Sequence, residues 1–513
     1  MFAPENHALA EPIGAIPGGS MREREVKMIV PDSFELPDLH DAVAGAMLGE
    51  VEERVIDDTY YDTPDLRLAR WGCTLRHRSG DGWTVKIPGP SKGIILDREE
   101  VAVSGDPGIP PSRAVALVSS LTRGVAVEEV AKVRTRRLYR RWLTDDGAVV
   151  AELAADDVCG SRPDGGEVVF REIEVELAPD ADGRLLDEVV TRLTAAKRST
   201  ERPIPKLVRV LGPAAMRPPD VEVTPLPAKP TARQVIEAAF ASSVTRLLLQ
   251  LPAARLGTDP EGVHQARVAS RRMRSDLKTF EPLLDPAWST SLGAELRWLI
   301  DELGAVRDAD VLGAKLRDLI ARHPEIDPDA ARRVLHQLQL KRRRDRRRLV
   351  RHLGEQRAMQ LFDHLVAAAA EPATVSRADR PARDVMPKLV RKRWKRLDRA
   401  IGRLGSHPAA EELHAVRILA KRVRYATEAV APAAGKQARK FADDAARIQD
   451  ALGELNDAAV AGAWLIECAE RLDGPAAFAA GQISQQIVVE ARTHDKRWRA
   501  AHKSMMKRAA WFS

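Results

Sequence analysis

The sequence predicts an α+β chain in which a strand-rich first part is followed by an all-helical second part. Short segments of alternating polar and apolar residues, separated by Gly, Pro and Asp, fill residues 22–211, and a period of two is typical of half-buried strands. Residues 233–510 instead show the 3.6-residue periodicity of helices. Two helical segments recur about 150 positions later: "HQARVASRRMR" (264–274) as "HAVRILAKRVR" (414–424), and "LGAVRDADV" (303–311) as "LGELNDAAV" (452–460). Such recurrence indicates an internal duplication, so we expect two duplicated helical bundles.

Changes in composition mark where the domains are expected to end. A chain of 513 residues is too long for a single hydrophobic core. Residues 1–21 contain several Pro and Gly and are predicted to be a disordered tail. Residues 212–232 are rich in proline and lack apolar periodicity, which predicts a semi-rigid linker. The expected domains are therefore 22–211 and 233–510, the latter with repeats at about 233–370 and 385–510.

Charge is divided unevenly along the chain. Residues 1–230 contain 30 Lys and Arg against 39 Asp and Glu, a net charge of −9, whereas the remainder contains 51 against 35, a net charge of +16. This asymmetry indicates a polyanionic partner for the helical part. Aromatic residues make up only 4% of the chain, which disfavours recognition of single-stranded nucleic acid by stacking.

Neither a membrane segment nor a secretory signal is evident in the sequence. No apolar run approaches the ~20 residues that span a bilayer, and the first residues lack the basic-then-apolar order of a signal peptide. Cys73, Cys159 and Cys468 are odd in number and widely spaced, which argues against disulfides and structural zinc. We therefore expect a cytoplasmic protein without membrane attachment.

The predicted strands carry their charges at every second position. Because strand side chains alternate between two faces, each such segment has one charged and one largely apolar face. A charged face commonly lies in water, yet here acidic segments flank basic ones. If the sheet closes into a barrel with these faces inward, they would line a tunnel with opposed acidic and basic walls. The residues concerned are Glu23, Glu25, Lys27, Arg76, Arg78, Lys86, Arg98, Glu100, Lys132, Arg134, Arg136, Glu172, Glu174 and Glu176.

The side chains of such a tunnel suit a metal ion and a phosphate chain. Clustered carboxylates require a divalent cation, and hard oxygen ligands suit Mg²⁺ or Mn²⁺. Arg offers forked donors to phosphate oxygens and Lys offers point charges. The basic wall therefore suits a short, highly charged phosphate chain.

Two helices of the second part each carry a row of cations headed by a histidine. Like charges at a spacing of three and four residues repel one another, which favours an external anion over a solvated face. Either histidine could be an ordinary buried helix residue, but their repetition in register beside Arg favours contact with phosphate. The first row is His264, Arg267, Arg271, Arg274 and Lys278, and the second is His414, Arg417, Lys421 and Arg424.

Together these motifs resemble a known pair of domains. The pattern Glu23-x-Glu25-x-Lys27, "YYDTPDLRLARWGCTLRHR" (60–78), Lys86, "RTRR" and "EIEVEL" are similar to the CYTH family of triphosphate tunnel metalloenzymes. The two His-x-x-Arg helices resemble the CHAD domain, which is associated with inorganic polyphosphate. The two domains recur together in single chains.

The resemblance implies a fold, an activity and a set of site residues. The first domain should be an eight-stranded antiparallel β-barrel, the triphosphate tunnel, with flanking helices. It should hydrolyse triphosphate-containing substrates with Mg²⁺ or Mn²⁺, with Lys27 and Glu25 as catalytic residues. The implied metal ligands are Glu23, Glu25, Asp156, Glu172, Glu174 and Glu176. The implied phosphate-binding residues are Lys27, Arg76, Arg78, Lys86, Arg98, Arg134, Arg136 and Lys206. Polyphosphate should bind to His264, Arg267, Arg271, Arg272, Arg274, Lys278, His414, Arg417, Lys421, Arg422 and Arg424.

Three other functions fit parts of the sequence. A non-catalytic polyphosphate-binding scaffold would need the helical domain alone, but the complete Glu, Lys and Arg set favours a working enzyme. Class IV adenylyl cyclase-like activity is compatible with the tunnel, although no base-recognition motif supports it. Nucleic acid could attract the basic rows, yet no groove-reading motif accompanies them. The sequence therefore favours a metal-dependent triphosphatase or tripolyphosphatase, associated with polyphosphate granules through its helical domain.

Overall fold

The fold is described from a computed structural model. It describes residues 20–31, 33–89, 95–178, 181–197, 204–405, 408–491 and 497–509. Most of the predicted tail, residues 1–19, lies outside these ranges. The chain divides into two compact units, Met1–Asp220 and Val221–Ser513.

The first unit is built on an antiparallel sheet that closes on itself. Its strands are β1 (Ser20–Val30), β2 (Met47–Leu48), β3 (Glu52–Asp62), β4 (Thr74–Arg78), β5 (Gly82–Pro88), β6 (Ile95–Val103), β7 (Glu128–Leu143), β8 (Val149–Ser161) and β9 (Glu167–Leu177). Eight of them follow the order β7-β3-β4-β5-β6-β1-β9-β8, and β8 pairs again with β7 to close the barrel. The short β2 pairs with the end of β7. The eight-stranded antiparallel barrel predicted for this part is confirmed.

On β1, β8 and β9 the apolar face points outward, where α3 (Leu186–Lys197) packs against it. Val26, Met28 and Val30 of β1 belong to one apolar cluster. That cluster also contains Val189 and Leu193 of α3. The shorter helices α1 (Arg67–Arg70), α2 (Ser112–Thr122) and α4 (Lys206–Leu211) complete the unit. Because side chains alternate along a strand, the residues between these apolar positions face the interior of the barrel.

The motif "YYDTPDLRLAR" ends β3 and begins α1 around one buried carboxylate. Asp62 accepts hydrogen bonds from the backbone N–H groups of Thr63, Leu68 and Ala69 at 2.7, 2.8 and 2.9 Å. Buried backbone donors require such partners. This part of the motif therefore shapes the chain beside the barrel.

The predicted linker contains the boundary between the two compact units. The boundary between the two units falls after Asp220, inside the predicted 212–232 linker. Asp220 forms ion pairs with Arg123 at 2.6 Å and with Arg70 at 2.8 Å. Residues up to Asp220 are therefore held on the first unit by partly buried charge pairs, which proline content does not reveal.

The second unit is helical and repeats itself. The first repeat consists of α5 (Ala232–Leu256), α6 (Pro260–Phe280), α7 (Pro286–Arg322), α8 (Pro328–Leu353) and α9 (Gln356–Ala370). The second consists of α10 (Ala382–Gly402), α11 (Ala410–Ala434), α12 (Lys436–Ala451), α13 (Gly453–Ala469), α14 (Gly474–Ala491) and α15 (Arg497–Arg508). The single helix α7 thus corresponds to α12 and α13 together. Among the described residues, no helix is both long and apolar enough to span a membrane.

The starts of α5 and α10 show how the two repeats are related. Thr231 and Pro381, 150 positions apart, form an isolated antiparallel bridge. The backbone N–H of Ala232 donates to Arg380 O, and that of Ala382 donates to Pro230 O, both at 2.9 Å. These reciprocal bonds join equivalent residues, as a local two-fold axis requires. The offset of 150 residues therefore identifies equivalent positions in α5 and α10, and likewise in α6 and α11.

Candidate functional site

One wall of the barrel interior is formed by carboxylates from three neighbouring strands. The register of β1, β9 and β8 places residues of the same face in rows. Successive rows are Glu25, Glu176 and Glu152; then Lys27, Glu174 and Ala154; then Ile29, Glu172 and Asp156. This wall is therefore acidic, with one lysine within it.

Three of these carboxylates form a compact group. Asp156, Glu172 and Glu174 bring ligand oxygens within 4.8 Å of one another. Neither oxygen of Glu172 accepts a hydrogen bond from the described residues, although this side chain has no exposed surface. Burial raises the pKa of Glu172 to about 8 despite the nearby Lys206, and the Glu174 carboxylate adds to this rise. A buried group of three carboxylates whose oxygens lie this close together fits a divalent cation, because hard cations prefer oxygen ligands.

Lys206 and Arg137 supply positive charge to this group. Lys206, the first residue of α4, places Nζ 2.5 Å from Asp156, 2.9 Å from Glu172 and 2.9 Å from Glu174. Arg137 of β7 donates to both oxygens of Asp156, at 2.8 and 2.7 Å, and also to Glu174. The carboxylates are thus held close together by cations that offset their mutual repulsion.

Lys27 lies between the two acidic rows. Its Nζ is 3.0 Å from Glu25 and also contacts Glu174. Burial would lower the pKa of Lys27, but Glu174, Glu25 and Glu172 raise it well above its ordinary value. Lys27 is therefore an ammonium at neutral pH.

The opposite wall of the same cavity is basic. Arg76 and Arg78 on β4, Lys86 on β5 and Arg98 on β6 line a cavity of about 280 Å³. The acidic wall contributes Glu25, Lys27, Glu152, Glu174 and Glu176 to its lining, whereas Asp156 and Glu172 are buried behind it. Each cation of the basic wall contacts a carboxylate of the barrel. Asp58 of β3 accepts from Arg78 Nε at 2.8 Å and from Arg76 Nη1 at 3.3 Å.

The remaining contacts of the basic wall connect it to β6 and β1. Lys86 Nζ lies 2.9 Å from Glu100, and Arg98 donates to Glu25 at 2.9 Å. Arg76 Nε is buried and has no acceptor among the described residues. The cavity therefore contains opposed acidic and basic surfaces.

In the helical unit, α6 and α11 carry the repeated rows of cations. Arg267 Nη1 lies 3.2 Å from Asp308 of α7. Burial lowers the pKa of Arg271 and of His264, and in both cases the nearby Arg267 contributes. Burial likewise lowers the pKa of Arg274. Arg297 of α7 and Arg422 of the second repeat both contribute to this decrease. The cations of the two repeats therefore repel one another, which favours an anion nearby.

The second repeated segment explains how these arginines are positioned. A Cβ on Gly304 would lie 3.4 Å from Arg267 Nε, and a Cβ on Gly453 would lie 3.7 Å from Arg417 Nε. Both Nε atoms are buried and have no acceptor among the described residues. Gly304 and Gly453 are the glycines of the repeated Leu-Gly pairs, so in each repeat an arginine packs against a helical glycine.

Comparison with known proteins identifies both units. Residues 21–207 match the CYTH domain and residues 238–466 match the CHAD domain. Two uncharacterised proteins of Mycobacterium tuberculosis, from strains H37Rv and CDC 1551, are 33% identical to the chain over 448 residues. The match covers 82% of this chain and 83% of each relative. The chain belongs to the CYTH–CHAD proteins.

Solved structures similar to this CYTH–CHAD chain cover about half of it. PptA from Streptomyces chartreusis is 23% identical, with a TM-score of 0.46, and the match covers 53% of this chain and 99% of PptA. A CHAD domain from the plant Ricinus communis is 27% identical, with a TM-score of 0.47, and the match covers 56% of this chain and 95% of that domain. Members of the CYTH family are metal-dependent triphosphate tunnel enzymes.

The CYTH domain corrects one set of predicted phosphate-binding residues. The face of β7 that carries Lys132, Arg134 and Arg136 points outward, where their side chains are 63%, 71% and 55% exposed. Arg136 pairs there with Glu53 at 2.8 Å. The prediction was wrong for Arg134 and Arg136 because β7 carries cations on both faces, and Arg137 is the inward one.

Several interior residues of the CYTH domain were not predicted. Besides Arg137, they include Arg54 and Asp58 of β3 and Glu152 of β8. Glu152 and Asp156 are four residues apart on β8 and therefore lie on the same face of the strand. Extending the alternation of β8 from Asp156 would have identified Glu152 as an interior residue. Asp58 lies two residues before Tyr60, within the alternation of β3, and the same reading would have included it.

The other predicted tunnel residues have varied placements. Glu25, Lys27, Arg76, Arg78, Lys86, Arg98, Glu174, Glu176 and Lys206 all line the cavity. Lys206, predicted to bind phosphate, contacts the acidic group instead of the basic wall. The backbone of Glu23 pairs with Arg98 in the sheet, but its side chain lies outside the described residues.

The CHAD domain uses some of its predicted cations within the bundle. Arg272 forms ion pairs with Asp276 at 3.2 Å and with Glu428 of α11, so it joins the two helices. Arg424 pairs with Glu428 at 2.8 Å. Helical periodicity identified the rows but not which members meet the neighbouring helix.

Proposed function

We propose that this chain is a metal-dependent triphosphatase that hydrolyses inorganic triphosphate or a triphosphate-containing substrate in the CYTH tunnel, and that its CHAD domain binds inorganic polyphosphate. The observation that supports this most directly is the cavity of about 280 Å³ with opposed acidic and basic walls. A triphosphate and a divalent cation are together complementary to such a pair of surfaces.

Arg76, Arg78, Lys86 and Arg98 are the groups we propose for phosphate binding in the tunnel. Asp58 and Glu100 now accept from three of them. A triphosphate would compete with these carboxylates for the same donors. It carries several negative charges, whereas each carboxylate carries one. Arg76, with its free and buried Nε, has an additional donor for a phosphate oxygen.

The acidic wall fits Mg²⁺ or Mn²⁺, with Asp156, Glu172 and Glu174 as the residues whose oxygens lie close enough to hold one ion. Glu25 and Glu176 are the further ligands that we propose on the same wall. When bound, such an ion would activate a water molecule and polarise the phosphoryl oxygens. Lys27 remains charged because its carboxylate neighbours raise its pKa. Its role would be to stabilise negative charge that develops on phosphate, and Glu25 would hold its ammonium in position.

In the CHAD domain, we propose that long polyphosphate follows the rows of α6 and α11. Arg267 and Arg417 present guanidinium groups whose Nε atoms have no protein acceptor among the described residues. His264, Arg271, Arg274, His414 and Lys421 extend these rows. Binding should weaken steeply with salt, because each contact displaces counterions.

Hydrolysis is tested by incubating the purified chain with tripolyphosphate and Mg²⁺ or Mn²⁺ and measuring orthophosphate. We expect release that EDTA abolishes, and a loss of roughly 10²-fold for Arg76→Ala, the magnitude typical for removal of a charge-stabilising donor. The matched control is Arg134→Ala, which removes the same charge from the outer face of the barrel. Release that persists in EDTA, or an equal loss in the control, would contradict the proposal.

One observation favours a non-catalytic polyphosphate scaffold as a second candidate. Lys206 and Lys27 already place ammonium groups among Asp156, Glu172, Glu174 and Glu25, and so supply positive charge that a metal ion would otherwise supply. A scaffold would bind tripolyphosphate without releasing orthophosphate under any of the metal conditions. Including ATP in the same assay separates both candidates from a cyclase, which would form cyclic nucleotide and pyrophosphate.

A further inference from the structure

A second cavity lies in the CHAD domain, where the C-terminal end of α6 meets α10 and α11. Its volume is about 260 Å³. The cations that line it are Lys278, Lys388, Lys392, Arg393, Arg396 and Arg422. Glu281 is the one acidic residue in its lining within the described part of the chain. The cavity is therefore strongly basic.

Most of these cations are not neutralised by the protein. Arg393 is fixed by donating to the carbonyl oxygens of Leu389, at 3.1 Å, and Lys278. The other five form no ion pair with a carboxylate among the described residues. Burial lowers the pKa of Lys278, and repulsion from Arg274 and Arg422 contributes. Cations gathered without counter-ions attract an anion from solution.

The internal duplication provides a matched comparison for this cavity. An offset of 150 residues pairs Lys388 with Ala238, Lys392 with Ser242, Lys278 with Glu428, and Arg422 with Arg272. At the equivalent place in the other half of the domain, Arg272 therefore meets Glu428 in an ion pair. There the charges cancel and α5 contributes Ala and Ser in place of two lysines.

This difference is not explained by the packing of the bundle. Both halves join α6 to α11 and both begin at the same reciprocal bridge, so the fold does not require Lys388 or Lys392. Both side chains are exposed at the edge of the cavity. The lysines therefore add charge to one of two equivalent places without a structural role in the described residues.

We propose that this cavity binds a compact oligophosphate of two or three phosphoryl groups, such as pyrophosphate or tripolyphosphate, at one end of the rows that bind long polyphosphate. Lys278 and Arg422, two of the predicted polyphosphate-binding residues, belong to its lining, and the α10 lysines distinguish it from the rest of the rows. Its volume lies just below the range of about 300–1,000 Å³ found for pockets of drug-sized ligands, which suits a small anion. Pro282, Leu389 and Leu419 give it apolar lining, and a low local dielectric strengthens charge pairing. The proposal does not depend on hydrolysis in the tunnel.

The test measures hydrogen exchange, peptide by peptide, in the full chain with increasing tripolyphosphate and no divalent metal. In the native chain, peptides covering 275–283 and 388–397 should become protected. The double variant Lys388→Ala/Lys392→Ser inserts the residues that the first repeat carries at the equivalent positions. It should raise the tripolyphosphate concentration for half-maximal protection at least tenfold.

The matched control is Arg391→Ala/Lys395→Ser, which removes two charges from exposed positions of the same helix that do not line the cavity. It should change the half-maximal concentration less than twofold, and an equal loss in this control would overturn the proposal. Protection of 275–283 and 388–397 by long polyphosphate alone, without protection by tripolyphosphate, would also overturn it. Peptides of the barrel strands report binding in the tunnel in the same experiment, so failure at one site is distinguishable from failure at the other.

Discussion

Arg136 and Arg137 of β7 are adjacent in sequence but lie on opposite faces of the barrel wall, and substituting each in turn tests which face turns inward. The side chain of Arg137 is 10% exposed, and its guanidinium donates to Asp156 and Glu174. The side chain of Arg136 is 55% exposed and pairs with Glu53 in solvent. Replacing either arginine with methionine removes one positive charge and keeps a long, unbranched side chain.

The expected costs differ because only one of the two pairs is buried. Arg137→Met leaves Asp156, which has no exposed surface, with Lys206 as its remaining cation. Removing one partner of a buried pair costs about 3–5 kcal/mol, and Lys206 keeps the expected loss near the lower value, about 3 kcal/mol. An exposed pair contributes about 0–1 kcal/mol, so Arg136→Met should lower the free energy of unfolding by less than about 1 kcal/mol.

Hydrogen exchange of the β8 and β9 peptides in increasing urea measures the stability of the barrel separately from that of the helical unit. This separation matters because a chain with two units need not unfold in one step. Arg137→Met should shift barrel exchange to lower urea, and Arg136→Met should leave it nearly unchanged. Equal costs, or a larger cost for Arg136→Met, would refute the inward placement of Arg137 and with it the structure of the acidic wall.

Three further predictions concern the CHAD domain. Burial and the nearby Glu428 raise the pKa of Asp276 to about 7 despite Arg272. The folded state therefore binds this proton more tightly than the unfolded state does. The stability that protonated Asp276 contributes is present below pH 4 and is lost as pH rises through about 7. Asp276→Asn should therefore raise the free energy of unfolding at pH 8 by up to about 4 kcal/mol, since one pKa unit corresponds to about 1.4 kcal/mol. A difference in unfolding free energy between variant and native chain that is the same at pH 5 and pH 8 in urea titrations would contradict this. Gly304→Val should displace Arg267 and weaken polyphosphate binding several-fold in calorimetric titration, whereas Gly293→Val, which has no neighbour within 4 Å of its Cβ, should not. Arg271→Glu combined with Lys421→Glu should weaken polyphosphate binding and reduce its salt dependence while tripolyphosphate hydrolysis continues; equal loss of hydrolysis would disprove the division into two modules.

The alternation of charges predicted the barrel well where only one face of a strand is charged. On β9, Glu172, Glu174 and Glu176 share a face and the intervening residues are apolar, so parity alone separates the two sides. On β7 both parities carry arginine, and the sequence of that strand alone cannot decide between them. The decision depends on the neighbouring strands, which offer Glu53 outside and Asp156 inside. Pairing between strands distant in sequence is the information that local periodicity lacks.

The helical domain shows the same limit at the level of helix contacts. The offset of 150 residues predicted the duplication, and the bridge of Thr231 with Pro381 joins positions with that offset. Periodicity placed Arg272 beside the first row of cations, but it could not show that Glu428 of α11 lies next to Arg272. A position on a helix face can be derived from the sequence, whereas the residue that meets it requires the packing of the whole bundle.

The charged interior of the barrel cannot be explained by stability. Glu25, Asp58, Arg76, Asp156 and Glu172 are all at most 8% exposed, and buried ion pairs are commonly no more favourable than apolar residues of similar volume. β1, β8 and β9 present apolar residues on the outer face, where α3 packs against them, so the alternation of these strands is inverted relative to a barrel with a hydrophobic interior. Folding alone would favour apolar residues on both faces. The interior has two opposed sets of charges around a cavity of about 280 Å³. It is therefore best explained as a binding surface whose acidic wall suits a cation and whose basic wall suits an anion.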